Sequence, residues 1–357
     1  MKKTLMLTAA MTMITTAAMA EYRMIVPQGP GGGTSVWTNN VRPHLEKFLG
    51  EKIIIQNIPG ISDIPGFNKF HESLRKDNKT IMVAHGGNGE SFLTDKVKYD
   101  YRLYEPISLV NLNIAVSHRT DFDPYKQTVK FGATSGRRPD VMGIILLVCG
   151  PQSQKNNLQA YINCYNKKMY YVKGMKPGEA RLAALRGELN SLRETYISHK
   201  KFVQPQIDKG VYKIWFNHGI LDLQSGKIVS DPNFKGVPTL EELYVQKWGK
   251  KPEGAFYDAY VLVKSFRDVL QKSLWMNRGN PNVGKVRAAV RAMMADPKAR
   301  AEIYRTSGSY EWLVGPDAGK AFNIIKSSIT PTSLKTLVDF TNNGLKIYSV
   351  YKPALLK

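Results

Sequence analysis

The chain has 357 residues, with 51 Lys and Arg against 29 Asp and Glu and a formal net charge of +22. Its length suits about two domains, and 43 % hydrophobic content is ordinary for a globular protein and argues against intrinsic disorder. The basic residues are spread along the chain without a zinc-finger, RNA-recognition or basic-zipper signature. The charge therefore reads as a solvated surface attractive to acidic solutes, and no nucleic-acid partner is expected.

Residues 1–20 read as an export signal. Lys2 and Lys3 give a positive start, Thr4 to Ala17 carries no charge, and Ala18-Met19-Ala20 offers the small residues a signal peptidase accepts. The run is too short and threonine-rich to span about 30 Å of hydrocarbon. Cleavage is expected near Ala20, with a soluble, periplasmic mature chain.

Next comes a short apolar strand, Tyr22–Val26, running into Pro27-Gln28-Gly29-Pro30-Gly31-Gly32-Gly33-Thr34-Ser35. A helical pattern follows, with Trp37, Val41, Leu45, Phe48 and Leu49 on one face. A strand opening through glycines onto a helix start leaves backbone N–H groups unpaired, and the helix dipole adds to their pull on an anion. Lys52–Ile55 reads as a buried strand ending at Asn57-Ile58-Pro59-Gly60, and Asp63 and Pro65 start a helix with Phe67, Phe70 and Leu74 inward. Thr80–Ala84 is a further strand opening onto glycines, which brings Gly86 and Gly87 into the candidate site. Such alternation predicts parallel sheets with ligand loops at the strand carboxyl ends.

Ile107–Ser117 reads as one long strand able to carry the chain between lobes. A second glycine loop, Lys130–Gly136, repeats the chemistry of the first with Thr134, Ser135 and Gly136, and a helix follows through Ile144, Ile145 and Val148. The polar stretch 151–168 reads as an insertion. Beyond it lie a strand at Met169–Lys173, an amphipathic helix at Glu179–Leu189 with Leu182, Leu185 and Leu189 on one face, and a strand at Val211–Phe216. Thr239 with Glu241 and Glu242 marks a capped helix start, and four helices are expected near 283–294, 297–306, 318–327 and 334–345. Cys149 and Cys164 either pair in an oxidising compartment or remain two buried thiols.

His85, His118, His199 and His218 are scattered, with no metal-ligand spacing. Gly33 is followed by Thr34-Ser35 and not by the lysine of a Walker loop, and Thr34 occupies the place of the third dinucleotide glycine. A nucleophile elbow is missing as well. No cofactor and no catalytic residue are expected.

The glycine run at Val26–Thr34, the corner Gln56–Gly60, the loop Gly132–Gly136, Tyr171–Gly174, Ala180–Leu189 and Val237–Glu241 occur in one order. This order resembles the solute receptors of tripartite tricarboxylate transporters, the Bug-type receptors. The resemblance implies an α/β, type II-like periplasmic-binding-protein clamshell of two lobes, each a mainly parallel sheet flanked by helices. It implies a small carboxylate between the lobes, a membrane permease as partner, and no enzyme activity. The first lobe would comprise 21–118 and 255–357, the second 119–254, in a monomer. Pro27, Gly29, Gly31, Gly32, Gly33, Thr34 and Ser35 would face Thr134, Ser135 and Gly136 across the cleft.

Three departures stand out. Ser35 occupies the family's usual Asp, Ile61-Ser62-Asp63 replaces an Ala-Gly pair, and the second loop continues into Arg137-Arg138-Pro139. Arg137 and Arg138 either enter the cleft or stay solvated. The rival readings are an exported enzyme acting on a small anionic substrate and a basic polyanion-binding protein diverged from the receptor fold.

Overall fold

The computed structural model of the protein describes residues 21–60, 63–133, 139–153, 158–225 and 227–356. The expected export signal lies outside the described residues. In chain order the strands are β1 (Tyr22–Val26), β2 (Ile53–Asn57), β3 (Thr80–His85), β4 (Tyr104–Val110), β5 (Ile114–Arg119), β6 (Val129–Ala133) and β7 (Met169–Lys173). They continue with β8 (Ser191–Thr195), β9 (Tyr212–Asn217), β10 (Ile220–Leu221), β11 (Ile228–Val229), β12 (Lys272–Asn277) and β13 (Trp312–Val314).

Two larger sheets result. The first has the order β13-β4-β12-β3-β1-β2 and the second β7-β6-β8-β5-β9, while β10 and β11 form a small pair. The α/β two-lobed architecture is as expected, but the sheets are mixed rather than mainly parallel. β1 pairs in parallel with β2 and β3, whereas β12 enters antiparallel between β3 and β4, with Lys272 opposite both His85 and Val110. In the second sheet β6 is parallel to β7 and β8, and β5 is antiparallel to β8 and β9.

The stretch read as one strand over 107–117 is two strands in different sheets. Asn111-Leu112-Asn113 breaks it, because the asparagine side chains bond across to the neighbouring crossing instead of continuing a ladder. Asn111 Nδ2 donates to the Leu221 carbonyl at 2.9 Å, and Asn113 Nδ2 to Asn217 Oδ1 at 2.8 Å. Both bonds tie the break to the end of β9 and to β10.

The helix Gly33–Leu49 buries Trp37, Val41, Leu45 and Leu49, and Gly50 closes it in the left-handed conformation. β2 is an edge strand, so Ile54 is half exposed where a buried strand was expected. The helix Ala255–Val269 packs against the helices Gly86–Phe92, Pro139–Cys149 and Pro331–Asp339, and one apolar cluster runs from beneath the first sheet to beneath the second. The polar stretch after Pro151 yields the helix Leu158–Lys168, tied to Cys149 by a disulfide from Cys164 across a Cα–Cα distance of 6.1 Å. Tyr161 on this helix stacks on Phe256 with centroids 3.9 Å apart.

The expected amphipathic helix spans Pro177–Leu185 but turns the other way. Ala180, Ala183 and Ala184 are buried, which lets it lie close to its sheet, while Leu182 and Leu185 are exposed. Thr239 caps the helix Leu240–Trp248 as expected: its Oγ1 accepts from the Glu242 N–H at 3.1 Å, and Glu242 Oε2 accepts from the Thr239 N–H at 2.7 Å. Among the described residues, no helix is long and apolar enough to cross a membrane.

Candidate functional site

The glycine loop after β1 is organised by Gln28. Its Oε1 accepts the Thr34 N–H at 2.9 Å, its Nε2 donates to Asp63 Oδ2 at 3.2 Å, and its carbonyl accepts from Asn57 Nδ2 at 2.6 Å. Gly31 adopts φ +83°, which only glycine takes without strain. Gly32 is the N-cap of the following helix, and a Cβ there would meet Gln28 Oε1 at 3.0 Å and the Gly29 carbonyl at 3.2 Å. The loop therefore closes tightly on its own side chain.

This closure uses the Thr34 amide and leaves the Gly33 and Ser35 amides without an acceptor among the described residues. No acidic side chain occupies the first helical turn. Pro27, Thr34 and Ser35 are buried, Gly29, Gly32 and Gly33 are partly exposed, and Gly31 is exposed. Ser35 is held by Asn57, whose Nδ2 lies 3.0 Å from its Oγ. The segment after β8 approaches here: a Cβ on Gly33 would lie 3.6 Å from the hydroxyl of Ser198, and Ile197 is buried in the same apolar cluster as Trp37 and Val41.

Beneath the loop stands a lysine. Lys272 is 2 % exposed, and its Nζ donates to Thr34 Oγ1 at 3.2 Å and to the Gln271 carbonyl at 3.1 Å. Burial pushes its ammonium down to about 7; Asp63 works against that shift and Arg267 with it. His85 ends β3 beside it. Its Nδ1 accepts the Gly87 N–H at 3.0 Å, and its Nε2 lies 2.9 Å from Asp63 Oδ2.

Gly86 and Gly87 do not behave as a third anion loop. A Cβ on Gly86 would lie 2.3 Å from Gln271 Oε1 and 2.5 Å from the Arg267 carbonyl, so this glycine serves close helix packing. The Gly87 amide is already used by His85.

Thr134, Ser135, Gly136, Arg137 and Arg138 lie outside the described residues, so only the flanks of the second glycine loop can be placed. Ala133 ends β6, and Asp140 sits fully buried in the first turn of the helix Pro139–Cys149. Asp140 Oδ2 accepts from Arg267 Nη1 at 2.9 Å and lies 3.5 Å from Arg193 Nε, while its Oδ1 is 3.0 Å from His218 Nε2. Burial acts against the Arg267 charge, but Asp140, Glu90 and Asp268 outweigh it and hold the guanidinium ionised. A cavity of about 10 Å³, room for a single water, lies against Gly132, Ala133, Arg181 and Arg193. Among the described residues, no group of His, Cys, Asp or Glu is placed to hold a metal ion.

Lys272, Asp63, Arg267 and Asp140 were not singled out from the sequence as site residues. Asp63 was visible as a departure from the family corner and as a helix start. Lys272 carried no signal, because it reaches the loop only through the antiparallel insertion of β12.

No family model and no curated protein matches the sequence. Solved structures do. The periplasmic binding protein BugD superposes with a TM-score of 0.58 at 16 % identity, covering 91 % of this chain and 97 % of that one. MatC from Rhodopseudomonas palustris, solved with bound malate, gives 0.57 at 18 % identity, covering 89 % and 98 %. An R. palustris protein solved with adipate gives 0.62 at 12 % identity, covering 89 % and 97 %. The chain therefore has the periplasmic-binding-protein fold.

Proposed function

We propose that a chain with this fold is an extracytoplasmic receptor that takes a small carboxylate, a di- or tricarboxylate or related organic acid, between its two lobes. The observation that carries the reading is the start of the helix Gly33–Leu49. Two amides without acceptors among the described residues, no acid in the first turn and a buried ammonium beneath it favour a bound anion. Malate and adipate in the similarly folded proteins point to the same class of ligand.

In this reading residues 21–118 and 255–357 form one lobe and residues 119–254 the other. Residues 1–20 direct export, and a membrane permease receives the ligand from a monomeric receptor. Thr134, Ser135, Gly136 and Arg137 are the proposed ligand contacts from the second lobe. Ligand entry requires the lobes to part, so the ligand acts by favouring the closed form.

A thermal-shift screen over malate, adipate, citrate, amino acids and aromatic acids tests the reading. A carboxylate at a hundredfold excess over its Kd should stabilise the chain by about 2.7 kcal/mol and be recovered unchanged. Stabilisation by none of these classes contradicts the receptor, and consumption of the compound points to an enzyme.

A further inference from the structure

We propose that Lys272 is the buried cation of the carboxylate site, acting on the ligand through the Thr34 hydroxyl. The inference rests on the receptor reading above and adds to it a residue and a direction of hydrogen bonding.

Lys272 has three N–H bonds and two acceptors, Thr34 Oγ1 and the Gln271 carbonyl. It forms no ion pair among the described residues. A buried ammonium is costly without a counter-charge, and proteins seldom keep one as mere packing. The charged and titratable groups around it are Asp63 from the corner after β2, His85 opposite it on β3, and Arg267 from the helix Ala255–Val269. β4 offers only Val110, and the first turn of the helix Gly33–Leu49 offers amides and the positive end of its dipole. Among the described residues Asp63 is the one negative group acting on it, and Asp63 also accepts from Gln28 and lies 2.9 Å from His85 Nε2.

The direction of the Thr34 bond matters. Because Thr34 Oγ1 accepts from Lys272, its own hydrogen is left for another oxygen, and it has no acceptor among the described residues. Thr34 lies between the unused Gly33 and Ser35 amides. A carboxylate oxygen there would receive amide and hydroxyl donors backed by a full positive charge, the stronger kind of hydrogen bond. Burial holds the Lys272 ammonium down to about 7, so above neutral pH a ligand that needs the ammonium must draw a proton from solvent as it binds.

Titration calorimetry of the wild type with malate and with adipate, at pH 6 to 9 in two buffers of different ionisation enthalpy, tests this without a variant. The expected result is proton uptake above pH 7, with affinity falling toward tenfold per pH unit. Lys272→Met should bind at least about tenfold more weakly at pH 6 and lose the pH dependence. Thr34→Val should weaken binding in the same sense with Lys272 in place. A structural brace is distinguished in ligand-free protein. Removing an uncompensated charge leaves the unfolding midpoint of Lys272→Met at pH 6 unchanged or higher, whereas losing a brace lowers it. Wild-type binding without proton uptake, or Lys272→Met binding as tightly as wild type, overturns this inference alone. No binding of either probe overturns the receptor reading and this inference with it.

Discussion

Arg267 Nη1 lies 2.9 Å from Asp140 Oδ2, joining the helix that leads back to the first sheet to the first turn of the helix after the second glycine loop. Both residues are fully buried, and Glu90 Oε1 lies 3.6 Å from the same guanidinium. The contact joins the helix Ala255–Val269 to the helix Pro139–Cys149. Removing one member of such a pair leaves the others charged in a dry environment. Arg267→Met should cost about 3–5 kcal/mol in urea unfolding. The double variant with Asp140→Asn should cost less than the two single changes together, because the stranded carboxylate is gone.

The close approach of the helices Gly86–Phe92 and Ala255–Val269 depends on glycine. A Cβ on Gly89 would meet the Phe266 carbonyl at 2.5 Å, a backbone atom that cannot rotate away. Gly89→Ala should therefore destabilise by about 1–3 kcal/mol in spite of alanine's better helix propensity. Chemical denaturation of the purified variant gives the value directly.

The Cys149–Cys164 disulfide closes a loop of 15 residues and pins the helix Leu158–Lys168, which stacks Tyr161 on Phe256. Replacing both cysteines by serine should lower stability by about 3 kcal/mol in the chain-entropy model. Two free thiols in denatured, unreduced protein from an oxidising compartment would contradict the pairing.

Stability should also fall in mild acid for reasons beyond the carboxylates. Burial drives His199 down to about 4, and it drives His218 down as well, although Asp140 opposes that shift. A histidine held below its unfolded value contributes stability that is complete above about 6.5 and is lost as pH falls through the folded pKa. For His199 the window is about 6.5 to 4, and the contribution is on the order of 3 kcal/mol. His199→Gln should flatten the pH dependence of urea unfolding between pH 7 and 4 by that order, and an unchanged slope would contradict the assignment.

The strand–glycine–helix opening was legible in the sequence because all of its parts are local. Tyr22–Val26, the glycine run and the face of Trp37, Val41, Leu45 and Leu49 lie within thirty residues and obey simple periods. The cap at Thr239 was legible for the same reason. What escaped were features decided by distant partners. The break at Asn111–Asn113 looks like continued strand until Leu221 and Asn217 arrive as hydrogen-bond partners. Leu182 and Leu185 have helical spacing, yet three alanines on the other face give the closer fit to the sheet. The parallel reading of the first sheet failed at β12, which arrives from the tail. With β12 came Lys272, 238 positions from its hydrogen-bond partner Thr34.

The most direct test of the account is a crystal structure of the protein grown with malate. A carboxylate is expected within hydrogen-bonding distance of the Gly33 and Ser35 amides and the Thr34 hydroxyl. Malate bound elsewhere, with the first turn of that helix facing only solvent, would contradict it.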